Sequence, residues 1–482
     1  VKHILIRSGK SPFYVAPPEE VIHRDLIGTN AGNLLFSDAM HKILLADRTT
    51  VTSNGISTDW SAKRAAQINE AYDAFVVPLA NAFRPSYEAS LNRLSKLIEQ
   101  LTIPVVVVGV GAQTGVDYDT GRLKAMEPAV RRFMKAVLKR SASIGVRGEL
   151  TADYLKQLGF TDVDVIGCPS MFLHGDTFPA LDKKPQGLTD DSRVAINLSF
   201  AASKVGPLAA ITQRAYERFP DLTYFAQNTP DAELLFWGDT SIAANASPTL
   251  PLERAHGLLR ENKMRVPLDP YTWMRDLSGF DFSFGSRIHG NIAALLSGTP
   301  AMVLCHDSRT LELCRYFDIP HQKLKDLPAD TEPAELYEKA DFSALHNGHK
   351  ERFDRFIAFM DRNGLENTFS HGDGGAVFEK EMAALELPPS IEVWDGGDDG
   401  ALGYRVARLR EQIAQTGQKH KDAEGRARRL EAKNKELEGR VRELEKHLNG
   451  SPLKRVTGAK KGLMVRLGPA IRRRLRRTSS KS

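Results

Sequence analysis

The sequence predicts an α/β protein made of two doubly wound, parallel-sheet units, followed by a long helix and a basic tail. Three observations carry that prediction. Short Val/Ile-rich runs alternate with helical patterns over residues 1–180 and again beyond 190. A polar stretch separates the two series, and a heptad register runs from Leu402 to Leu448. Continuous runs of β-branched residues between helices mark strands buried on both faces, which is how parallel sheets read.

In the first series KHILI is a strand, and NLLFSDAMHKILL follows as a helix with apolar residues 36, 39, 40, 43 and 44 on one face. AFVVPL reads as a strand, SLNRLSKLIEQL as a helix, PVVVVGVG as a strand and AMEPAVRRFMKAVLKR as a helix. SASIGVR, ELTADYLKQLG and DVDVIG complete it as strand, helix and strand, with Gly159 closing the helix. GDTFPALDKKPQGLTDDS (175–192) breaks the pattern. RVAINLSF, LTYFAQ, FDFSFGS and PAMVLC then read as strands, with NIAALLSG as a helix between the last two.

The expected organisation is an N-terminal Rossmann-like domain over 1–180, a second over 190–385, a coiled coil over 401–449 and a basic tail over 450–482. Two such domains face each other across a cleft. Ligands of these sheets sit outside the carboxyl ends of the strands, near helix N-termini. In the heptad region the last third has the stronger seam, with Leu430, Leu437, Val441, Leu444 and Leu448, and Asn434 is placed to fix register. Thr416, His420 and Gly425 weaken the middle, so a homodimeric coiled coil and a solvated single helix both fit.

Composition narrows the function classes. The chain has 482 residues, 41% hydrophobic and 26% charged, which suits a globular protein of two or three domains. No apolar run approaches the roughly 18 to 20 residues that span a bilayer. The opening VKHILIRSGK has a strand-length apolar core and no cleavage-site pattern, so a strand is expected there rather than a signal peptide. Three cysteines, Cys168, Cys305 and Cys314, form no CxxC, which fits a reducing cytosol and argues against a cysteine-rich metal site. The net charge of +6 belongs to the tail: residues 451–482 hold eleven Lys or Arg and no acid, which leaves residues 1–450 at −5.

The stretch most suggestive of chemistry is FGSRIHGNIAALLSGTP (284–300). Residues 286–290 are expected to form a strand-to-helix turn at the carboxyl edge of a sheet, where free N–H groups favour an anion. Arg287 adds a permanent bidentate donor for carboxylate or phosphate. His289 is a proton donor or acceptor beside that anion. Gly290 allows a close backbone approach. The same spacing also fits a surface ion pair with a capping histidine.

GSRIHGNIAALLSGTPAMVLCHDSRTLELCRYFDIP resembles the polysaccharide pyruvyl transferases, which carry a Ser-x-Arg-x-His-Gly turn, a helix of small apolar residues, Gly-x-Pro, a strand and Asp-x-Arg-x-x-Glu. Here these are Ser286, Arg287, His289 and Gly290, then Gly298 and Pro300, then Asp307, Arg309 and Glu312. SIGVRGELTADYLKQLGF with VIGCPSMF looks like the family's first-domain arginine turn. NAGNLLFSDAMHKIL looks like its N-terminal glycine loop and VVGVGAQTG like its third loop, so the likeness covers roughly residues 1–345.

The resemblance implies a GT-B-like arrangement and a pyruvyl transferase. It would move pyruvate from phosphoenolpyruvate onto a saccharide or lipid-linked saccharide acceptor as a ketal, with no metal and no further cofactor. Carried over by position, Arg147 and Arg287 would grip the donor, His289 would be the catalytic acid, and Ser286, Gly290, Asn30, Gly32 and Asn33 would bind substrate.

The departures concern the base. Relatives often have an acid after the N-terminal glycine, but here Gly32 is followed by Asn33. Asp117 and Asp119 are candidate substitutes, or plain loop residues. Asp307 and Arg309 either line the cleft or cap and pair, a structural role is favoured for Glu312, and Asn197 is a candidate ligand contact. Cys168 reads as a buried small residue rather than a nucleophile.

In the tail, Leu463, Leu467, Ile471 and Leu475 recur among arginines, a basic amphipathic pattern suited to anionic lipid, interrupted by Pro469. A solvated tail and nucleic-acid contact stay open. A cytoplasmic enzyme, peripheral on the inner face of the cell membrane, is the expectation. The rival readings are a GT-B-type glycosyltransferase using a nucleotide sugar and a non-catalytic membrane adaptor.

Overall fold

The computed structural model describes residues 1–199, 201–237 and 256–450, with backbone alone at 203 and 448–450. Val1–Gly397 forms one compact unit and the chain from Asp398 another. The basic tail beyond Gly450 lies outside the described residues.

The first half of the larger unit is a parallel sheet of β1 (Lys2–Ile6), β2 (Thr49–Ser53), β3 (Ala74–Pro78) and β4 (Val105–Val108), in the order β2-β1-β3-β4. β5 (Ile144–Val146) and β6 (Val163–Val165) pair in parallel beside it. They are joined to it where Val110 bridges Val146 and the Gly109 N–H donates to the Gly145 carbonyl at 2.9 Å. In the second half β7 (Val194–Asn197), β8 (Leu222–Phe225), β9 (Met264–Arg265), β10 (Phe282–Gly285), β11 (Ala301–Cys305) and β12 (His321–Lys323) run parallel in the order β12-β11-β10-β7-β8-β9. Ser283 lies opposite both Ala195 and Ala301, so the strand that leads into the Arg287 turn is central. The four valines of β4 are buried on both faces, as their run predicts.

The strands missing from the sequence reading are the polar or very short ones. β2 is TTVTS, a half-exposed strand at the sheet edge, and β9 has only two residues. Neither contains an apolar run to mark it.

Five helices matter for the site and its surroundings, α1 (Gly32–Leu44), α2 (Glu149–Gln157), α3 (Ile288–Leu296), α4 (Ser308–Phe317) and α5 (Ser343–Arg362), and the second unit contains α6 (Leu402–Gly450). α1 has no solvent face. Ser37, Asp38, His41 and Lys42 are buried along with its apolar residues, because the helix lies between the halves and touches residues 270–277 and α3 of the second. Asp38 has its carboxyl pushed up to about 7 by burial. α5 returns to the first half: Asn363 Oδ1, just past its end, accepts from the Ala142 and Ser143 N–H groups at 3.0 and 3.2 Å, and Arg362 pairs with Asp164 at 3.1 Å. The chain after 343, expected in the second domain, therefore also covers the β5–β6 end of the first.

α6 is a continuous helix over the predicted heptads, and in this single chain Leu409, Ile413, Leu430, Leu437, Val441 and Leu444 are exposed. Among the described residues no helix is long and apolar enough to cross a membrane.

Phe172 joins the halves. Its ring lies 4.9 Å from Phe356, 5.6 Å from Phe317 and 5.8 Å from Phe353, centroid to centroid, and it is fully buried. Phe172→Ala is expected to lose about 3–5 kcal/mol of stability by denaturant unfolding. Phe172→Leu should lose clearly less, because it leaves a smaller cavity.

Candidate active site

The turn after β10 is built around Asn197 at the end of β7. Its Oδ1 accepts from the Arg287 N–H at 2.9 Å, its Nδ2 donates to Asn291 Oδ1 at 3.0 Å, and its carbonyl accepts from the Ser286 N–H at 3.0 Å. Asn197 therefore supports the turn, where sequence had made it a candidate ligand contact. α3 begins at Ile288 with Arg287 as its N-cap, so His289 and Gly290 belong to the first helical turn and not to the loop before it. Ser286 Oγ accepts from the Ser199 N–H at 2.8 Å, and Arg287 Nε donates to the Leu198 carbonyl at 2.9 Å. These bonds fix the guanidinium while leaving its terminal nitrogens for something else.

Arg147 stands between β5 and α2, in the first half. It is 1% exposed, its Nη1 donates to Asn81 Oδ1 at 2.7 Å, and its buried Nε has no partner. Burial holds both guanidiniums below their ordinary pKa, since neither is neutralised by a directly bonded carboxylate. Glu312 on α4 caps α2 from the other half: its carboxylate accepts from the Thr151 N–H at 2.7 Å and the Thr151 hydroxyl at 3.1 Å. Burial pushes that carboxyl up to about 7. The structural role favoured for Glu312 is thus the one observed.

The two arginines face one cavity of about 470 Å³ between the halves. Arg7, Arg84, Arg309, His289 and His306 also line it, and Asp25 is the only carboxylate among its lining residues. The rims are stitched across the halves. On one side the Ala31 N–H donates to the Gln227 carbonyl at 2.8 Å, and the Thr229 hydroxyl donates to Asp25 Oδ1 at 2.8 Å. On the other, the Thr114 N–H donates to Ser308 Oγ at 2.7 Å and the Ser308 N–H to the Thr114 carbonyl at 3.1 Å.

His289 sits in the wall against Phe36, with ring centroids 5.6 Å apart. Its Nε2 lies 3.6 Å from Cys168 Sγ. Burial keeps the Cys168 thiol protonated, so it can donate to Nε2 and leave the ring proton on Nδ1. Sequence had Cys168 as a buried small residue, and nothing in its spacing from His289 signalled this contact. His289 is pushed down to about 3, first by burial and then by the charges of Arg147 and Arg309. The ring is therefore neutral, where sequence had it as a proton donor or acceptor.

Of the other predicted positions, Asn30 and Asn33 line the cavity. Asn33 Nδ2 donates to the Gly28 carbonyl at 2.7 Å, so its amide shapes the loop. Gly32 lies under the imidazole: a Cβ there would come within 2.7 Å of the His289 Cβ. Gly290 meets protein rather than open space, with Gln227 and Asn197 occupying the place of a Cβ. Asp307 caps α4 and pairs with Arg309, while Arg309 lines the cavity. Asp117 and Asp119 are exposed and outside the cavity, and Asp119 caps the turn at Gly121, so neither is the base sought from sequence. Sequence reasoning missed Arg7, Arg84, Asp25 and His306. Arg7, Arg84 and His306 follow β1, β3 and β11 at the carboxyl ends of strands, and Asp25 lies in the loop that covers that edge, which was the available signal.

Parallel α/β sheets with a cationic cavity between them make a site suited to an anionic ligand. Residues 30–308 match the family Polysaccharide pyruvyl transferase, and the chain belongs to that family and is a transferase of polysaccharide biosynthesis. No match is found among curated proteins. Similar solved structures include a UDP-GlcNAc 2-epimerase from Methanocaldococcus jannaschii in complex with UDP-GlcNAc and UDP, at 11% identity over 80% of this chain and 99% of that one, TM-score 0.36. The Neisseria meningitidis UDP-GlcNAc 2-epimerase matches at 11% identity over 80% and 100%, TM-score 0.33. The glycosyltransferase SnogD from Streptomyces nogalater matches at 11% over 80% and 99%, TM-score 0.31.

Two buried imidazoles, His289 at about 3 and His41 at about 4, lie below the ordinary 6.5. Their folded pKa values are depressed, so their contribution to stability is complete above pH 6.5 and is lost as pH falls toward 3–4. Asp38 and Glu312, whose carboxyls are raised to about 7, act in the opposite sense as pH falls from about 7, so the expected readout is the ring itself: His289 is still neutral by NMR near about pH 5. A His289 resonance titrating at an ordinary imidazole value would contradict this.

Proposed function

We propose that the enzyme moves pyruvate from phosphoenolpyruvate to two hydroxyls of a saccharide or lipid-linked saccharide, forming a ketal and releasing phosphate. The observation that carries the reading is the convergence of Arg147 and Arg287, one from each half, on a cavity walled by His289. Two guanidinium forks suit a small ligand bearing a carboxylate and a phosphate.

The chemistry needs a cationic imidazole, and the ligand supplies the reason for one. A trianionic donor offsets the arginine charges that hold His289 down, so its binding favours uptake of a proton. Nδ1, which has no protein partner among the described residues, is then the nitrogen that delivers it. Protonation of the enol methylene makes a methyl group and leaves the adjacent carbon electrophilic. A sugar hydroxyl attacks that carbon, the carbon–oxygen bond to phosphate breaks, and a second hydroxyl closes the ring. Of the two hydroxyl protons, one restores the imidazolium and one leaves with hydrogen phosphate.

The exposed leucine seam of α6 favours self-association of the chain, and the composition of residues 451–482 favours adsorption to an anionic membrane.

The test is phosphate release and ketal formation from phosphoenolpyruvate with galactose, mannose and hexosamine acceptors. His289→Ala is expected to lower kcat by about 10²–10⁴-fold. Arg147→Ala or Arg287→Ala should weaken donor binding by about 30-fold or more, because each removes a desolvated charge partner. Activity with nucleotide sugars alone would overturn the donor assignment, and undiminished turnover in His289→Ala would overturn the acid.

A further inference from the structure

We propose that the cavity contains a second anion subsite, formed by Arg7, Arg84 and Tyr87, which takes a phosphoryl or carboxylate group carried by the acceptor saccharide. The inference deepens the pyruvyl-transfer reading and rests on it.

The cavity's arginines come from several elements and differ in what they are bonded to. Arg147 and Arg309 are the cations that press on His289, and Arg309 is paired with Asp307. Arg287, beside His289 in sequence, is influenced by Asp231 and Asp307. Arg7 and Arg84 come from a different place. Arg7 follows β1, Arg84 follows β3, and both meet Tyr87: Arg7 Nη2 donates to its hydroxyl at 3.2 Å, and the Arg84 guanidinium lies 5.5 Å from its ring centroid. Arg7 Nη2 also donates to the Ile56 carbonyl at 3.1 Å.

Neither Arg7 nor Arg84 has a carboxylate in salt-bridge range among the described residues. In both, the buried Nε has no hydrogen-bond partner. Arg84 lies below its ordinary pKa through burial and through the charges of Arg309 and Arg147. A tyrosine hydroxyl and a carbonyl do not neutralise two half-buried cations, so the pair is suited to an anion.

The donor accounts for one anion. Its carboxylate and phosphate are met by the arginines around His289, and a cavity of about 470 Å³ leaves room beside a three-carbon phosphate ester. The remaining ligand of the reaction is the acceptor. A neutral glycan gives these two half-buried guanidiniums no charge to pair with. A sugar phosphate, a sugar diphosphate or a hexuronate does.

Binding is measured by calorimetry on the full chain saturated with phosphoenolpyruvate, with His289→Ala or His289→Gln introduced to stop turnover. Probes are methyl hexosides, hexose 1-phosphates and hexuronates of the galacto and manno series. A charged probe is expected to bind about tenfold or more tighter than its neutral counterpart. The arm that gains most, phosphate or carboxylate, identifies the group. Arg7→Gln and Arg84→Gln should each remove most of that preference, Arg7→Lys and Arg84→Lys should retain part of it, and the donor dissociation constant should stay within about threefold. Equal affinity for neutral and charged probes overturns the subsite. So does a loss of donor affinity in Arg7→Gln or Arg84→Gln equal to that in Arg287→Ala, which would put all the arginines on one ligand. Phosphoenolpyruvate that fails to bind even the wild-type chain overturns the donor assignment, and the inference with it.

Discussion

The burial of Arg147 and Arg287 without a bonded carboxylate is the constraint on which the rest of this structure depends. Each guanidinium is held by a neutral oxygen, the Asn81 amide in one half and the Leu198 carbonyl in the other. Such bonds orient a cation but do not neutralise it. The cost is borne by a fold that fixes both residues at the carboxyl ends of parallel strands, where the backbone is already committed to sheet and helix. Burial, and after it the charges of Arg147 and Arg309, keep the His289 ring neutral.

Precision at this site comes from residues that do not touch the cavity. Asn197 ties β7 to the Arg287 turn through side chain and backbone, and Glu312 reaches across the halves to cap the helix behind Arg147. Gly32 gives the imidazole the space it occupies, so the N-terminal loop is a wall for His289 as well as a rim. These are positioning contacts. They explain why a turn from the second half and a helix start from the first form a single site.

The family's acid after the N-terminal glycine is replaced by Asn33, whose amide braces the loop at Gly28. Asp25 is the carboxylate that lines the cavity instead. It is fixed through Oδ1 by the Thr29 N–H at 2.7 Å and by Thr229 from the other half. It lies, like Arg7, in the stretch between β1 and the glycine loop.

The sequence by itself determined the strands and helices with continuous apolar runs and the strand-to-helix turn of Arg287 and His289, while Arg147 was singled out only through the family resemblance. Those features are local: β-branched runs specify buried strands, and a strand-to-helix junction specifies where N–H groups and an arginine converge. Only the tertiary structure decided which polar residues are buried. The reading of α1 as amphipathic failed because its polar residues pack between two halves, and Asp117 and Asp119 failed as base because their loop turns outward. Arg7, Arg84, Asp25, His306 and Cys168 carry no spacing pattern that unites them. They meet because different strands end at one edge and two sheets face each other, and burial in that shared space, rather than residue type, sets their charge and protonation.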